Sequence, residues 1–496
     1  MTRPTRSRPP HPVIKPARKI PSAGVSNAQI SPARSAAFHI LRLVATTSAH
    51  ADDLLHGPAV AALSPLDRNL TTTLTLGVLR WQIALDARIQ SLLQRPDQVL
   101  PEPVAIALRL GAFQLLYLDR IPAHAALSES VEVVRAAGHP GAAGMVNAIL
   151  RNLTRQPAPK TPLYETIAAA AQRLGHPLWM VNRWVQNYGR ASALAICEYG
   201  QREPSIGSLF SPEGNRRATE AVRSEPPADS STLAEPPASE PGSASALFSV
   251  LPALFPLAQL DEGSRLVAEL AATVAGRTSS GAPLRIWDTC AAPGGKTLIL
   301  LHRHPGAELL ATDASLRRLE LLAARLQAAV FPPGGGLDGT ELPRTVHADA
   351  SQLPASEGLF DLILCDVPCS GTGTLGRNPE IRHRLGPADL PRQAIRQREI
   401  LSAALAHLAP GGSLIYSTCS LEPEENEQVV SAVLATNPGI TNPSLEPAMQ
   451  GLVRSGVLGL LPPNLIRNGC LRTLPGANFV GDGFFAALLH RSLTLK

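Results

Sequence analysis

The sequence predicts an α/β domain on a mostly parallel, seven-stranded sheet, preceded by an all-α domain. Three observations lead there. From residue 284 onward, β-forming runs alternate with helix-like segments, the pattern of parallel strands joined by crossover helices. The first of these runs leads into a glycine-rich turn, Pro293-Gly-Gly-Lys296, that opens a helix. Upstream, from Ser31 to about Arg155, apolar residues recur at helical spacing.

Taken in order, residues 1–30 form a proline-rich basic arm. Arg3, Arg6, Arg8, Lys15, Arg18, Lys19, Arg34 and Arg42 all precede the first acid, Asp52. Such an arm suits phosphate contact, and a solvated tail has the same composition. Its prolines oppose the amphipathic helix of a transit peptide. Residues 31–157 read as the all-α domain. Ser31-Pro32 supplies an N-cap and N1 pair, and Ser64-Pro-Leu-Asp67 a second helix start. Leu70, Leu74, Val78 and Trp81 make one apolar stripe, and Ile106, Leu110, Phe113 and Tyr117 another. Gly57-Pro58, Pro101, Pro122 and Gly138-His-Pro140 punctuate the helices.

Residues 158–210 read as a helical linking piece that holds Trp179 and Trp184. Residues 211–245, rich in Ser, Pro, Glu and Ala, read as a disordered insertion. Residues 246–496 hold the sheet. Its parallel strands are expected at 284–287, 308–312, 344–348, 360–365 and 413–417, with a closing antiparallel pair near 471–474 and 483–489.

Composition narrows the function. At 496 residues the chain is long enough for two or three domains, and 44% apolar content supports packed cores. No apolar run is long enough to span a membrane, and the N-terminus lacks the apolar core of a secretory signal. The six cysteines, at 197, 290, 365, 369, 419 and 470, are few for this length and read as reduced thiols.

The chemistry concentrates at strand ends, where open α/β sheets carry their sites. Asp313, Asp349 and Asp366 end the second, third and fourth strands, on the side of the glycine turn. One such acid is as readily a helix cap, but three together point to a nucleoside ligand. The turn lacks the spacing of a phosphate-binding P-loop. Cys369 and Cys419 are flanked by Pro, Ser, Gly and Thr, small residues that leave a thiol accessible. Cys197, Cys290, Cys365 and Cys470 read as small buried hydrophobes. Cys365 and Cys369 have no second ligand pair for zinc.

Three stretches carry a specific resemblance. They are Asp288-Thr-Cys-Ala-Ala-Pro-Gly-Gly-Lys-Thr297, Asp366-Val-Pro-Cys-Ser-Gly-Thr-Gly-Thr-Leu-Gly-Arg-Asn-Pro-Glu-Ile-Arg382 and Ser417-Thr-Cys-Ser-Leu-Glu-Pro-Glu-Glu-Asn426. They resemble the motifs of RNA cytosine-C5 methyltransferases, most of all the bacterial Sun/Fmu/RsmB type that modifies 16S ribosomal RNA. The resemblance covers about 245–496, including Leu471-Arg-Thr-Leu-Pro-Gly476 and Gly481-Asp-Gly-Phe-Phe485. The N-terminal helices resemble the NusB-like RNA-binding domain of that type. Pro204-Ser-Ile-Gly-Ser-Leu-Phe210 departs from the Arg-Val-Asn-like strand expected in the linking subdomain.

The resemblance implies a Rossmann-like S-adenosylmethionine-dependent catalytic domain. The cofactor would lie on Cys290, Ala291, Ala292, Pro293, Gly294, Gly295 and Lys296, with Asp313 on its ribose and Asp349 at its adenine. Asp366 would contact the target base or the cofactor rim. Cys419 would be the nucleophile and Cys369 the thiol that assists product release, with no metal. The implied protein is a cytoplasmic monomer, free of membranes, whose partner is 16S ribosomal RNA, bare or in an early assembly particle. The chemistry asks for such a pair, because C5 of cytosine becomes nucleophilic only after a thiolate adds at C6. The alternatives are the same reaction on transfer RNA or 23S ribosomal RNA, or a non-catalytic assembly factor that binds RNA. A small-molecule substrate fits the basic arm and helical domain less well.

Overall fold

Pro32 begins helix α1 (Pro32–Thr46), with Ser31 as its N-cap residue. The Ser31 hydroxyl donates to Glu129 at 2.7 Å, tying the helix start to a distant helix. Arg34, grouped above with the basic residues, is buried and bonds Gln114 at 2.6 Å and Glu129 at 2.8 Å. It is a structural cation, withdrawn from any phosphate. Helices α2 (Ala51–Leu55) and α3 (Pro58–Ala61) are short. Helix α4 (Pro65–Gln90) starts at Ser64, whose hydroxyl accepts from the Asp67 amide at 3.1 Å and donates to its carboxylate at 2.7 Å. Helices α5 (Glu102–Tyr117), α6 (Ala123–Ala136) and α7 (Ala143–Leu153) complete the domain. The two stripes meet in its core, with Leu74 and Val78 of α4 and Ile106, Leu110 and Phe113 of α5 buried.

The computed structural model describes residues 30–95, 98–156, 165–203, 260–276, 282–330, 341–459 and 464–493. The basic arm before residue 30, the insertion at 211–245 and the departure at 204–210 lie outside the described residues. The linking piece contributes α8 (Ile167–Arg173), α9 (Leu178–Tyr188) and α10 (Arg190–Gly200). Helix α11 (Glu262–Thr273) leads into the sheet domain. Among the described residues no helix is long and apolar enough to cross a membrane.

Among the described residues nine strands build the sheet: β1 (Arg285–Asp288), β2 (Glu308–Asp313), β3 (Arg344–His347), β4 (Phe360–Asp366), β5 (Leu408–Thr418), β6 (Ile440–Thr441), β7 (Ile466–Arg467), β8 (Cys470–Arg472) and β9 (Phe485–Arg491). Their order is β3-β2-β1-β4-β5-β9-β8-β7, with β6 paired to β9. The first five are parallel, and β9 returns antiparallel beside β5. The seven expected strands are therefore present. The extra two, β6 and β7, have two residues each, too few for a periodic signal. Helices α12 (Gly295–Arg303), α13 (Leu316–Val330), α14 (Ile381–Arg384), α15 (Asp389–Ala406), α16 (Glu427–Thr436) and α17 (Glu446–Arg454) follow in chain order. Two apolar clusters cover the two faces of the sheet. The strand order reverses between β1 and β4, the crevice where such sheets place ligands.

A short segment, residues 382–384, makes one of the contacts between this domain and the helices before it. Arg382 is fully buried and donates to the carbonyls of Arg80 at 2.8 Å, Gly175 at 3.2 Å and Gly200 at 2.7 Å. His383 contacts the Leu79 carbonyl at 2.8 Å, and Arg384 donates to those of Val44 and Ala49 at 2.6 Å each. Arg80 answers with a bond to the Gly376 carbonyl at 2.8 Å. Burial, and then the charge of Arg80, pull the Arg382 guanidinium down to about 9, still protonated at neutral pH. We expect Arg382→Met to strand these buried carbonyls at about 1–3 kcal/mol each. The check is a lower urea midpoint together with faster proteolytic release of the N-terminal helices.

Candidate active site

The register of the central strands brings the sequence-predicted residues together. Asp366 at the end of β4 pairs directly with Ser417 in β5. Cys369 lies three residues past the first and Cys419 two past the second. Their sulfurs are 3.3 Å apart, and both thiols are free. This contact and then burial raise the Cys369 thiol well above its ordinary value.

The neighbouring ion pair is equally tight. Lys296 Nζ donates to Asp366 Oδ2 at 2.7 Å, and Ser417 Oγ donates to Oδ1 at 2.7 Å. Burial works against the Lys296 ammonium, but the Asp366 carboxylate outweighs it and the pKa is raised. The charge of the Cys419 sulfur acts on Lys296 in the same direction, which makes Lys296 a cation in electrostatic reach of the nucleophile candidate. Phe484 lies beneath it, 5.2 Å from Nζ to the ring centre.

A cavity of about 360 Å³ opens beside this pair. Cys290, Ala291, Ala292, Pro293, Gly295, Lys296 and Asp366 all line it. Gly294 holds the turn in a left-handed conformation, φ 99°, that other residues rarely adopt. Asp288 is on the cavity wall and fully buried, and it accepts from Thr297 Oγ1 at 2.7 Å. Burial pushes its pKa up to about 7, against the Thr297 bond and with help from the Asp366 charge. The Cys290 thiol is pushed up to about 12 by burial, which makes it a poor nucleophile at neutral pH.

Asp313 and Asp349 are outside this lining. Asp313 is buried at the end of β2, accepts from the Ser315 amide at 2.8 Å and has Arg318 at 3.6 Å. Asp349 is exposed after β3 and caps a short turn by accepting from the Ser351 amide at 3.0 Å, a bond that lowers its pKa. Among the described residues no group of His, Cys, Asp and Glu is arranged to hold a metal.

Several site residues escape sequence reasoning. Glu425 is fully buried behind both cysteine loops. Its carboxylate accepts from the Ser370 amide at 2.8 Å, Gln397 Nε2 at 2.9 Å and the hydroxyls of both Ser370 and Ser420. Ser370 adjoins Cys369 and Ser420 adjoins Cys419, so one carboxylate sets the positions of both thiols. Asn426 brackets Cys419, accepting from Thr418 Oγ1 at 2.5 Å and donating to the Ser420 carbonyl at 2.8 Å. Across the cavity, Arg377 bonds Asp482 at 2.9 Å and Asp261 at 3.2 Å. Burial, then the Asp261 charge, push the Asp482 carboxyl well upward against that guanidinium. The serines beside each cysteine were a usable signal for a shared acceptor. Nothing local in the sequence pairs residues 261, 377 and 482.

Helix α9 holds the loop after Cys419 from outside. Arg183 bonds Glu422 at 2.8 Å and Glu424 at 2.7 Å, Trp184 Nε1 reaches Glu422 at 3.1 Å, and Tyr188 donates to the Leu421 carbonyl. Gly373 and Gly483 complete the floor by backbone contact, the Gly483 amide bonding the Gly373 carbonyl at 2.8 Å. A Cβ on Gly373 would come within 2.2 Å of the Gly483 oxygen, so the approach requires glycine.

Comparison with known proteins adds independent findings. A family model described as 16S rRNA methyltransferase RsmB/F matches residues 282–490, and the NusB family model matches residues 31–155. The probable ribosomal RNA small subunit methyltransferase B of Synechocystis is 31% identical over 93% of this chain and 99% of its own length. The ribosomal RNA small subunit methyltransferase B of Citrobacter koseri is 32% identical over 87% of this chain and 92% of its own. Among solved structures, that of PH0851 is 20% identical with a TM-score of 0.64 and covers 94% of this chain and 100% of that one, a likeness of fold.

Two outcomes follow from the geometry. Glu425→Gln places an amide N–H against hydroxyl and amide donors, at about 1–3 kcal/mol for each bond lost. It should lower the denaturation midpoint and reduce the yield with which dibromobimane bridges Cys369 and Cys419. Asp288 has a folded value of about 7 against an ordinary 3.8, so its contribution to stability is complete below 3.8 and lost as pH rises through 7. Urea melts from pH 5 to 8 should show that decline in the native chain and its loss in Asp288→Asn.

Proposed function

Because the chain belongs to the ribosomal RNA small subunit methyltransferase B family, we propose that it transfers a methyl group from S-adenosylmethionine to C5 of a cytosine in 16S ribosomal RNA through a covalent bond between Cys419 and C6. The observation that carries this reading is the pair of free sulfurs 3.3 Å apart at neighbouring strand ends, beside the Lys296–Asp366 ion pair.

The cavity beside that pair suits the methyl donor. Its volume of about 360 Å³ falls in the range of small-ligand sites. Its wall carries Asp261, Asp288, Asp366 and Asp482 beside Lys296, Arg325 and Arg377, polar groups of both signs that suit a zwitterionic ligand, and the turn at Gly294–Gly295 presents a helix N-terminus. S-adenosylmethionine supplies there a methyl group made electrophilic by a positive sulfur. Asp313 and Asp349, at the next two strand ends, would hold its ribose and adenine.

The residues of this chain do the rest. The Cys419 sulfur adds to C6, breaks the ring's conjugation and places electron density on C5. Asp366, fixed by Lys296 and Ser417, stabilises the charge developing on the ring by sharing a proton with N3 of the base. With the methyl group in place, Cys369 as its thiolate takes the C5 proton, and the electrons of that C–H bond re-form the C5–C6 double bond and expel Cys419 as a thiolate. One methyl group is gained by the base and one proton is released overall. The target base must leave its stack to reach the sulfur.

Cys419→Ala is expected to abolish methyl transfer, and Cys369→Ala to accumulate a protein–RNA adduct that survives denaturing electrophoresis. Methyl transfer at the native rate by Cys419→Ala would overturn the reading. Bisulfite sequencing of ribosomal and transfer RNA from a deletion strain should show one cytosine of the small subunit losing its protection, and a lost site in transfer RNA or the large subunit would redirect the substrate.

A further inference from the structure

A second cleft, of about 470 Å³, lies between the N-terminal domain and helices α14 and α15. It reaches the thiol pair through Cys369 and Ser370, whereas the cofactor cavity reaches it through Lys296 and Asp366. Its lining is polar and carries charges of both signs: Arg384 and Arg392 with Gln393 at the rim, Glu380 buried beside His50, and Asp389 beside Arg392. Arg384 is committed to carbonyls of the N-terminal domain and so fixes the width of the cleft. Arg392 is different. Its side chain is 73% exposed, and the partner carboxylate, Asp389, is itself anchored to the Gly386 amide at 2.8 Å. That anchoring holds the guanidinium at the mouth of the cleft. One turn further along α15, Arg396 is also exposed and continues the same face.

We propose that this cleft is the groove that holds the RNA strand beside the target nucleotide, with Arg392 as a phosphate contact and Arg396 continuing the track. The assignment rests on the methyl-transfer reading above, since it needs a nucleotide delivered to the two sulfurs. A base bonded to Cys419 and facing the cofactor cavity leaves its sugar–phosphate chain to exit past Cys369. The cleft is the opening at that point, and a guanidinium fork is the group that grips a phosphate bidentately. Exposed arginines on helices are usually only solvated. Here the side chain lines a cavity that ends on a reactive thiol, which is the feature a solvated surface residue lacks.

The test uses the full chain, an in vitro transcript of small-subunit ribosomal RNA and tritium-labelled methyl donor. Arg392→Glu should bind the transcript about tenfold more weakly, and Arg392→Ala should reduce the slope of log affinity against log salt by about 1. Both should bind S-adenosylmethionine as the native chain does, and Arg454→Ala, an exposed arginine on α17, should change nothing. RNA affinity and salt slope unchanged in both Arg392 variants, while the native chain methylates the transcript, would overturn the groove. RNA binding that depends on Arg392 with no 5-methylcytosine formed by the native chain would retain the groove and defeat the reading of the reaction instead.

Discussion

The carboxylate of Glu425 is the interaction on which the rest of the site depends. It is fully buried, forms no ion pair among the described residues, and is satisfied by neutral donors from two loops and a helix. A buried charge is tolerated only when its hydrogen bonds are complete. The loop of Cys369, the loop of Cys419 and Gln397 of α15 are therefore tied to one another. Parallel register brings the two strand ends side by side, but register alone leaves the loops beyond them undetermined. Glu425 converts adjacency of strands into adjacency of sulfurs.

Around this centre the work is divided by element. The switch point between β1 and β4 opens the cavity, and the glycine turn forms one wall of it. Lys296 reaches from that turn to Asp366 and so links the cavity side to the cysteine side. The linking helix α9 braces the loop after Cys419 from outside through Arg183, Trp184 and Tyr188. Positioning thus comes from three layers, the sheet, the buried carboxylate and the outer helix, and a loop held on both sides loses little freedom when a substrate arrives.

Much of this was legible in the sequence because the signals are local. The strands show as β-forming runs, the turn as adjacent glycines, and the thiols as cysteines among small residues. The parts that were not legible depend on pairings far apart in the chain. Glu425 stands in an acid-rich stretch, Glu422 to Glu427, whose composition carries no sign of burial, yet Glu422 and Glu425 are both buried. Arg382, His383 and Arg384 carry no local sign of a partner in the sequence and form the interdomain joint. Arg34 counted as a basic residue near the N-terminus and is instead neutralised inside α1 and its neighbours. In each case the residue type is ordinary, and only the distant acceptor gives it meaning.

The interdomain joint is chemically one-sided. Residues 382–384 supply side chains, and the helical part answers mainly with carbonyl oxygens, Leu79 and Arg80 from the middle of α4 and the others from helix ends and turns. Every residue type carries that oxygen, so the helices can exchange their side chains there over evolutionary time without losing the grip. The three contacting side chains have no such latitude. A chimera that joins this catalytic half to a foreign helical domain would therefore need matching helix lengths far more than matching sequence.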